Sequence, residues 1–486
     1  MPLHSIYWIS RVLIMIEFIL NNVLIRLDDI KADTTLLDFL RLKMGLKGTK
    51  EGCASGDCGA CTVVVATPKE SFSQLEYKTL NSCICLLGSL HGKQIITVEG
   101  LQGKNGVLHP VQKSLVDHHA SQCGFCTPGF VMSVFAMTKQ ASSKESTTEI
   151  INHLDGNLCR CTGYRPIIDA SKSFLENKLE DNFDLHEKET LAILQGINTK
   201  GAIKTDQNQF FIPETLDELS KLIKHNPEAK LLAGGTDLAL EVTQGLKSLD
   251  QIIYLGNLQN LKNISHDNNE LVIGSAVTYE ASRKILCHEY PVLEAYLNRI
   301  GSLQIRNVAT IGGNIANASP IGDMPPVLVA LDAQLSLQKG VKIRRVGIDI
   351  FYTGYKQTIL DKGEFIRSIH IPKASAERYF NVYKISKRHA DDISAVCGAF
   401  NLKILNKKIV SAKIAFGGMA ETVKRAIKCE KALENKELAS ETLQLAEQMI
   451  VQDFNPLDDV RASQDYRLKM ARNMLRRLFF ELERLV

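Results

Sequence analysis

Gly52-Cys-Ala-Ser-Gly-Asp-Cys-Gly-Ala-Cys61 places Cys53, Cys58 and Cys61 in a C-x4-C-x2-C spacing, and Cys83 supplies a fourth thiol further along. Plant-type 2Fe–2S clusters are held by four thiolates spaced in this way. The glycines of the stretch suit a loop that turns backbone N–H groups toward sulfur, since glycine enters left-handed conformations without steric cost. Four cysteines also suit tetrahedral zinc, but zinc sites usually pair two C-x2-C hairpins, unlike a tight three-thiol loop with a distant fourth. Cys85 lies beside Cys83 and could compete as a ligand; spacing leaves that choice open.

The sequence around this loop reads as short strands and one helix. Ile16–Leu20 and Val23–Leu27 flank Asn21-Asn22, a hairpin signal. Thr34 or Thr35 is placed to cap a helix carrying Leu36, Leu37, Leu40 and Met44 on one face. Thr62–Ala66 is a buried-strand run and Gln94–Val98 a final strand. A mixed sheet with one helix and a cluster at its rim predicts a β-grasp, ferredoxin-like 2Fe–2S domain over 16–100.

A chain of 486 residues exceeds one hydrophobic core and predicts roughly three or four domains. Its net charge of +4, with no dense basic run, points away from nucleic acid and from an anionic membrane surface. Nine of its 12 cysteines fall between Cys53 and Cys161, and Cys287, Cys397 and Cys429 stand singly. Clustered thiols without a secretory signal indicate a reducing, cytoplasmic setting and metal ligation rather than disulfides. The three single cysteines read as small buried hydrophobes. Ile6 to Ile16 is apolar but too short to span a bilayer and is interrupted by Arg11. Met15 directly precedes the first strand and is a candidate start, which would leave the residues before it as a disordered extension.

From about His109 to Leu175 the period becomes helical, with Val111, Leu115 and Val116 in one apolar stripe and Phe130, Val134 and Met137 in another. Cys123-Gly-Phe-Cys126 and Cys159-Arg-Cys161 form a second four-thiol set. Its C-x-C half strains a tetrahedral chelate, which favours iron–sulfur over zinc. Thr127-Pro128 fits a helix start, with proline tolerated in the first turn and the helix N-terminus directed at a negatively charged cluster.

Gln122-Cys-Gly-Phe-Cys-Thr-Pro-Gly129 and Asn157-Leu-Cys-Arg-Cys-Thr-Gly-Tyr-Arg-Pro166 resemble the helical iron–sulfur module of the xanthine oxidase family of molybdenum hydroxylases. Glu51 to Cys61 resembles the ferredoxin-like module of the same family. The resemblance implies an all-α, four-helix 2Fe–2S domain over 101–178, and 179–209, polar and without sustained periodicity, reads as a linker.

An α/β domain is predicted over 210–374. A helix with Leu216, Leu219, Leu222 and Ile223 leads to Lys230-Leu-Leu-Ala-Gly-Gly-Thr-Asp-Leu238, an apolar strand entering a turn whose N–H groups could cradle a pyrophosphate. This is not a G-x-G-x-x-G fingerprint, which disfavours a Rossmann site. A second glycine-rich stretch runs from Gln304 to Asp323, and two such loops suit an extended diphosphate. Both resemble the family's FAD-binding domain, of the vanillyl-alcohol-oxidase type. By that resemblance Lys230, Leu231, Leu232, Ala233, Gly234, Gly235, Thr236, Asp237 and Leu238 lie along the adenosine diphosphate part of FAD. Thr310, Gly313, Asn314 and Asp323 line the flavin and its diphosphate, and Lys384 lies near the flavin. Ile300 stands where some relatives carry a phenylalanine that stacks on the isoalloxazine.

Residues 378–486 resemble the small α+β C-terminal domain of the family's flavoprotein subunits, as in carbon monoxide dehydrogenase, including Asp459-Val-Arg-Ala-Ser463. Its last helix, from Tyr466 to Leu485, reads as packed on its own domain.

No histidine cluster, activated serine or paired carboxylate suited to attacking a substrate is evident, so no catalytic residue is expected in this chain. Two clusters and a flavin in one polypeptide resemble the small subunits of the family's bacterial two-chain members. The resemblance then implies a separate large subunit that binds the molybdenum cofactor, in a heterotetramer of two small and two large chains. Hypoxanthine and xanthine would be oxidised to urate there; the alternatives are the same subunit of a hydroxylase for aldehydes or N-heterocycles, or a stand-alone NADH-linked electron carrier. Electrons would enter at the Cys123/Cys126/Cys159/Cys161 cluster, pass to the Cys53/Cys58/Cys61/Cys83 cluster, and leave through FAD to NAD.

Overall fold

The computed structural model describes residues 15–484, apart from 70, 104–105, 141–144, 177–179, 198–201, 205–208 and 268. The residues before Met15, read above as an extension, lie outside the described residues.

The first strands are Ile16–Leu20 and Val23–Leu27, paired antiparallel, with Asn21 in the left-handed region at φ 56°. They extend a five-stranded mixed sheet through Gln94–Ile96, which runs parallel to Ile16–Leu20, then Thr62–Pro68 and Leu75–Asn81. The last strand is shorter than the sequence suggests, because Val98–Leu101 winds into a 3-10 turn. Thr35 caps the helix Leu36–Asp38, accepting the Asp38 N–H at 3.1 Å. The helix then widens into a π turn over Phe39–Lys43, closed by Met44 N–H to Phe39 carbonyl at 3.0 Å. That wider turn rotates Met44 off the Leu36–Leu40 face into solvent, and Phe39 fills the core in its place. Met44 is therefore not part of the buried stripe.

Four helices follow: Pro110–Asp117, Thr127–Gln140, Thr147–Leu154 and Arg165–Glu176. Phe130, Val134 and Met137 are fully buried, and their helix packs on the strands Thr62–Pro68 and Leu75–Asn81. Val111 and Leu115 stack one turn apart in the core. Val116, about 100° further round the helix, is exposed, which corrects its place in the stripe.

Within 179–209 the chain is not a plain connection. It forms the helices Asn182–Leu185 and Glu187–Gly196 and buries Phe183, Leu191 and Leu194 against the four-helix domain. Asp181 anchors this strap. Its carboxylate accepts from Lys139 Nζ at 2.8 Å and lies 3.3 Å from His109 Nε2. Burial alone would raise the Asp181 pKa, but His109 and Lys139 outweigh it and hold the carboxyl well below the usual carboxylate range.

Beyond the strap lie two sheets. Ala202–Lys204, Gln209–Phe211, Gln251–Tyr254 and Lys230–Leu232 form one, whose last three strands are mutually parallel. Ile264–His266, Glu270–Gly274, Phe365–Pro372, Gln334–Lys339 and Lys342–Gly347 form an antiparallel one. The C-terminal region is an antiparallel meander, Arg378–Ile385, Val396–Leu405 and Lys408–Gly417, covered by Ile427–Leu433, Ser440–Asp453 and Gln464–Glu483. The last helix buries Ala471, Leu475, Leu478 and Leu482 against that meander, as an amphipathic helix packed on its own domain does. Cys397 and Cys429 are buried, whereas Cys287 is half-buried on the helix Tyr279–Glu289. Among the described residues no helix is long and apolar enough to cross a membrane.

The strap makes a stability prediction. Lys139→Met removes the ammonium that neutralises Asp181 and leaves a buried carboxylate short of a partner, a loss of about 3–5 kcal/mol. Thermal unfolding followed by circular dichroism should show the transition lowered, with most of it recovered in the double variant Lys139→Met, Asp181→Leu. Because the folded Asp181 pKa is depressed, its contribution is present above the unfolded-state pKa and is lost as pH falls through the folded one.

Candidate functional site

The loop from Cys53 to Cys61 is wound so that its thiols converge. Ala54, Gly56 and Gly59 all take positive φ (53°, 82° and 67°), which turns successive N–H groups inward. Ser55 and Asp57 N–H donate to Cys53 Sγ at 3.4 and 3.3 Å. The sulfurs form a continuous set: Cys58 touches Cys53, Cys53 touches Cys83, and Cys83 lies 3.3 Å from Cys61. Asn81 braces the loop from the neighbouring strand, donating to Gly56 carbonyl at 2.6 Å and facing Cys61 Sγ at 3.8 Å. Cys85 Sγ instead faces Ser89 Oγ at 3.6 Å, and burial pushes its thiol up.

Four sulfurs this close cannot all ionise alone. Contact with Cys53 and Cys61 holds the Cys83 thiol far above its usual range, while Cys58 and Cys83 pull Cys53 far below it. Bound cations would remove the conflict, because a metal-coordinated thiol is deprotonated outright. The donor set therefore fits a 2Fe–2S cluster, and its interior place fits too, since Cys61 and Cys83 are almost wholly buried.

The second set joins Cys126 to Cys159 and Cys123 to Cys161 across two helix starts, Thr127–Gln140 and Arg165–Glu176. The Thr162 hydroxyl and N–H outweigh burial and lower the Cys159 thiol, with the N–H at 3.4 Å. Tyr164 is held at φ 68° and its hydroxyl accepts the Cys159 N–H at 3.0 Å. This set is the more exposed of the two, since Cys53 and Cys58 of the first are half-buried and Cys61 and Cys83 buried. Cys123 and Cys161 are exposed beside Phe125 and Tyr164. One backbone bond, Leu158 N–H to Cys58 carbonyl at 3.0 Å, ties the two ligand segments together.

The two glycine-rich stretches of the following domain stack on each other. A Cβ at Gly234 would lie 1.9 Å from Val308 carbonyl, so only glycine permits this approach between the 233–237 turn and the second stretch. Gly235 needs φ 79° to complete the turn into the helix Leu238–Thr243. Thr310 caps Ile311–Ala316, accepting Gly313 N–H at 3.0 Å. Among the described residues Asn314 Oδ1 and Ser275 Oγ are buried without protein partners, polar groups left for a ligand to satisfy. Leu232 packs into the core, and Lys230 and Asp237 are exposed, so these three would meet a ligand through backbone.

Asp323 and Ile300 of this domain meet Lys384 of the C-terminal domain, on the strand Arg378–Ile385. Lys384 Nζ donates to Asp323 at 2.7 Å and to Arg299 carbonyl at 2.7 Å, one residue before the buried Ile300. Ser394 Oγ donates to the other Asp323 oxygen. Ser275, Arg299 and Ser394 carry no motif of their own, and only the fold brings them to these positions. Packed glycine turns, and buried unpaired oxygens able to accept from hydroxyl or ring N–H groups, fit a dinucleotide such as FAD.

Four family models match successive segments of the chain. Residues 20–88 match the 2Fe-2S iron-sulfur cluster binding domain and 97–172 the [2Fe-2S] binding domain. Residues 205–374 match the FAD binding domain in molybdopterin dehydrogenase, and 381–482 the CO dehydrogenase flavoprotein C-terminal domain. The chain is 32% identical over 500 residues to xanthine dehydrogenase of Emericella nidulans, covering 90% of this chain and 36% of that one. It is 30% identical over 503 residues to xanthine dehydrogenase/oxidase of Gallus gallus, covering 88% and 37%. It thus spans about a third of the length of the curated relatives it matches. Among solved structures, CO dehydrogenase from Oligotropha carboxidovorans superimposes with a TM-score of 0.53 at 28% identity, over 57% of this chain and 96% of that one. Quinoline 2-oxidoreductase from Pseudomonas putida 86 gives 0.53 at 25%, over 57% and 98%. Two 2Fe–2S domains and an FAD-binding domain are thus present in order. The chain belongs to the xanthine dehydrogenase family of molybdenum hydroxylases, whose iron–sulfur and FAD portion it carries.

Proposed function

We propose that this chain is the electron-transfer part of a xanthine dehydrogenase. It serves a molybdenum-cofactor-binding partner that oxidises hypoxanthine and xanthine to urate, and it delivers the electrons to NAD. The observation that carries the reading is the unequal placing of the two thiol sets. Cys123 and Cys161 open to the surface, where a partner can approach, while Cys61 and Cys83 are buried toward the FAD domain. Identity of 30–32% to xanthine dehydrogenases over most of the chain supports the substrate. The partner would be a large subunit, in a heterotetramer of two small and two large chains, and the setting cytoplasmic.

When bound, 2Fe–2S clusters pass single electrons and FAD exchanges them in pairs as hydride, which suits a link to NAD. In this assignment Cys53, Cys58, Cys61 and Cys83 hold one cluster, and Cys123, Cys126, Cys159 and Cys161 the other. Residues 230–238 would lie along the adenosine diphosphate part of FAD, and Thr310, Gly313 and Asn314 would line the flavin and its diphosphate, the Gly313 and Asn314 N–H groups being already bound to Thr310. Lys384, kept by Asp323 in one position, presents a fixed positive charge beside Ile300. The chain shields Cys61 and Cys83 from bulk water, with Asn81 bracing the loop at Gly56.

A second reading keeps the architecture and changes the substrate. The likeness to a carbon monoxide dehydrogenase and a quinoline oxidoreductase favours it, since this portion of the fold accompanies unlike substrates.

The deciding experiment isolates the native complex anaerobically and adds xanthine while flavin and iron–sulfur absorbance are followed. Bleaching that NAD reverses is expected. A complex that contains molybdenum yet bleaches only with another heterocycle or an aldehyde would overturn the xanthine assignment. Cys123→Ser should abolish reduction by the partner's substrate yet spare NADH-to-dye activity at the flavin; parallel loss of both would count against the order of carriers. Asp323→Ala leaves Lys384 buried without its carboxylate, at a cost of about 3–5 kcal/mol, and should lower the flavin-to-protein ratio on gel filtration. An unchanged ratio would remove Asp323 from the FAD site.

A further inference from the structure

One short helical turn, Leu303–Arg306, brings the FAD domain against both thiol sets. Gln304 on this turn is fully buried where three domains meet. Its Nε2 lies 3.2 Å from the hydroxyl of Thr62, the residue after Cys61, and 3.1 Å from Oδ1 of Asn157, two residues before Cys159. Asn157 donates from Nδ2 to the carbonyl of Gly59 at 3.0 Å, between Cys58 and Cys61. Thr62 Oγ1 donates to the same carbonyl at 2.7 Å, and Ser133 Oγ donates to Asn157 Oδ1 at 2.6 Å. All four side chains are at most 2% exposed, so water cannot stand in for a missing partner.

The backbone around this network has no slack. A Cβ on Gly59 would sit 2.1 Å from Gly156 carbonyl, and one on Gly156 the same distance from Gln304 Oε1. The two ligand-bearing segments are thus packed backbone to backbone, and the amide that touches both belongs to the third domain. We propose that Gln304 is a positioning residue: docking of the FAD domain sets the spacing between the two cysteine sets through its side chain. The inference rests on the cysteine ligation proposed above and is independent of the substrate. The alternative is that Gln304 merely glues an interface. Asn307, on the same segment, supplies the contrast. Its Nδ2, also buried, donates to Thr79 carbonyl at 2.9 Å, on a strand residue that neither holds nor adjoins a ligand cysteine.

The test uses the full chain with its cofactors, reduced with dithionite and examined by low-temperature EPR. Magnetic splitting between two reduced clusters falls with the cube of their separation, so it reads spacing without turnover. Gln304→Met keeps length and apolar volume and removes the amide. The expected result is a shifted splitting in Gln304→Met at full iron and flavin content, and wild-type splitting with a lowered melting temperature in Asn307→Ala. Wild-type splitting in Gln304→Met overturns the proposal, as does an equal shift in both variants. If Gln304→Met loses iron, Ser133→Ala, which removes one bond to Asn157, must show the shift; wild-type splitting there overturns it as well. Absence of two iron–sulfur signals from the unaltered chain would instead reject the ligation itself.

Discussion

Four cysteine sulfurs cannot share a few ångströms as four anions unless cations lie among them, and the iron–sulfur half of this chain is built around holding them there. The Cys53–Cys61 loop supplies the geometry by taking left-handed φ at Ala54, Gly56 and Gly59. Alanine in that region is strained, and the strain is tolerated where surrounding contacts over-determine the backbone. Those contacts are Asn81 against Gly56, Asn157 and Thr62 against Gly59, and Leu158 against Cys58. Each comes from outside the loop, so the loop's shape depends on the sheet and on the second domain being in place.

That dependence gives buried amides a role at the domain junctions beside their apolar packing. Apolar contacts are non-directional and tolerate small slips, whereas a buried amide is satisfied only in one register. Gln304, Asn307 and Asn157 are all buried amides at such junctions. The strap at residues 181–196 works similarly, with the ion pairs of Asp181 fixing a place that Phe183 and Leu191 alone would not specify. Such groups stabilise little net of desolvation but cost much when one partner is lost. The arrangement favours a defined geometry over maximal stability.

Legibility in the sequence followed the range of the interactions. The strands Ile16–Leu20 and Val23–Leu27 and the cap at Thr35 rest on local alternation and a local hydrogen bond, and were readable residue by residue. The cysteine spacings were readable because ligands in a loop must be near in sequence. Met44 and Val116 were misplaced because a helix was assumed to keep its ordinary pitch and a wide stripe, whereas a π turn and a narrow face decide their exposure. The strap's helices were missed because Glu187–Gly196 shows less than three turns of pattern and its anchor, Asp181, pairs with Lys139 and His109 far upstream. Gln304 and Thr62 are 242 residues apart, beyond any local pattern.

The same reasoning separates the flavin half from the iron–sulfur half. In the latter the candidate site is a set of thiols, so spacing points to it while leaving Cys85 open beside Cys83. In the former no side chain is indispensable in type: Gly234 is needed because Val308 carbonyl leaves no room for a Cβ, and Asn314 stands out only through its unpaired oxygen. A diphosphate is held largely by backbone N–H groups, which every residue but proline supplies. Composition therefore says little, and the arrangement of turns carries the information. The exception is Asp323 with Lys384, where a buried charge pair is costly enough to require a reason. It lies beside Arg299 and the buried Ile300, where the C-terminal domain meets the FAD domain and a fixed charge adjoins an apolar wall. An isoalloxazine, apolar across its face and charged when reduced, asks for both.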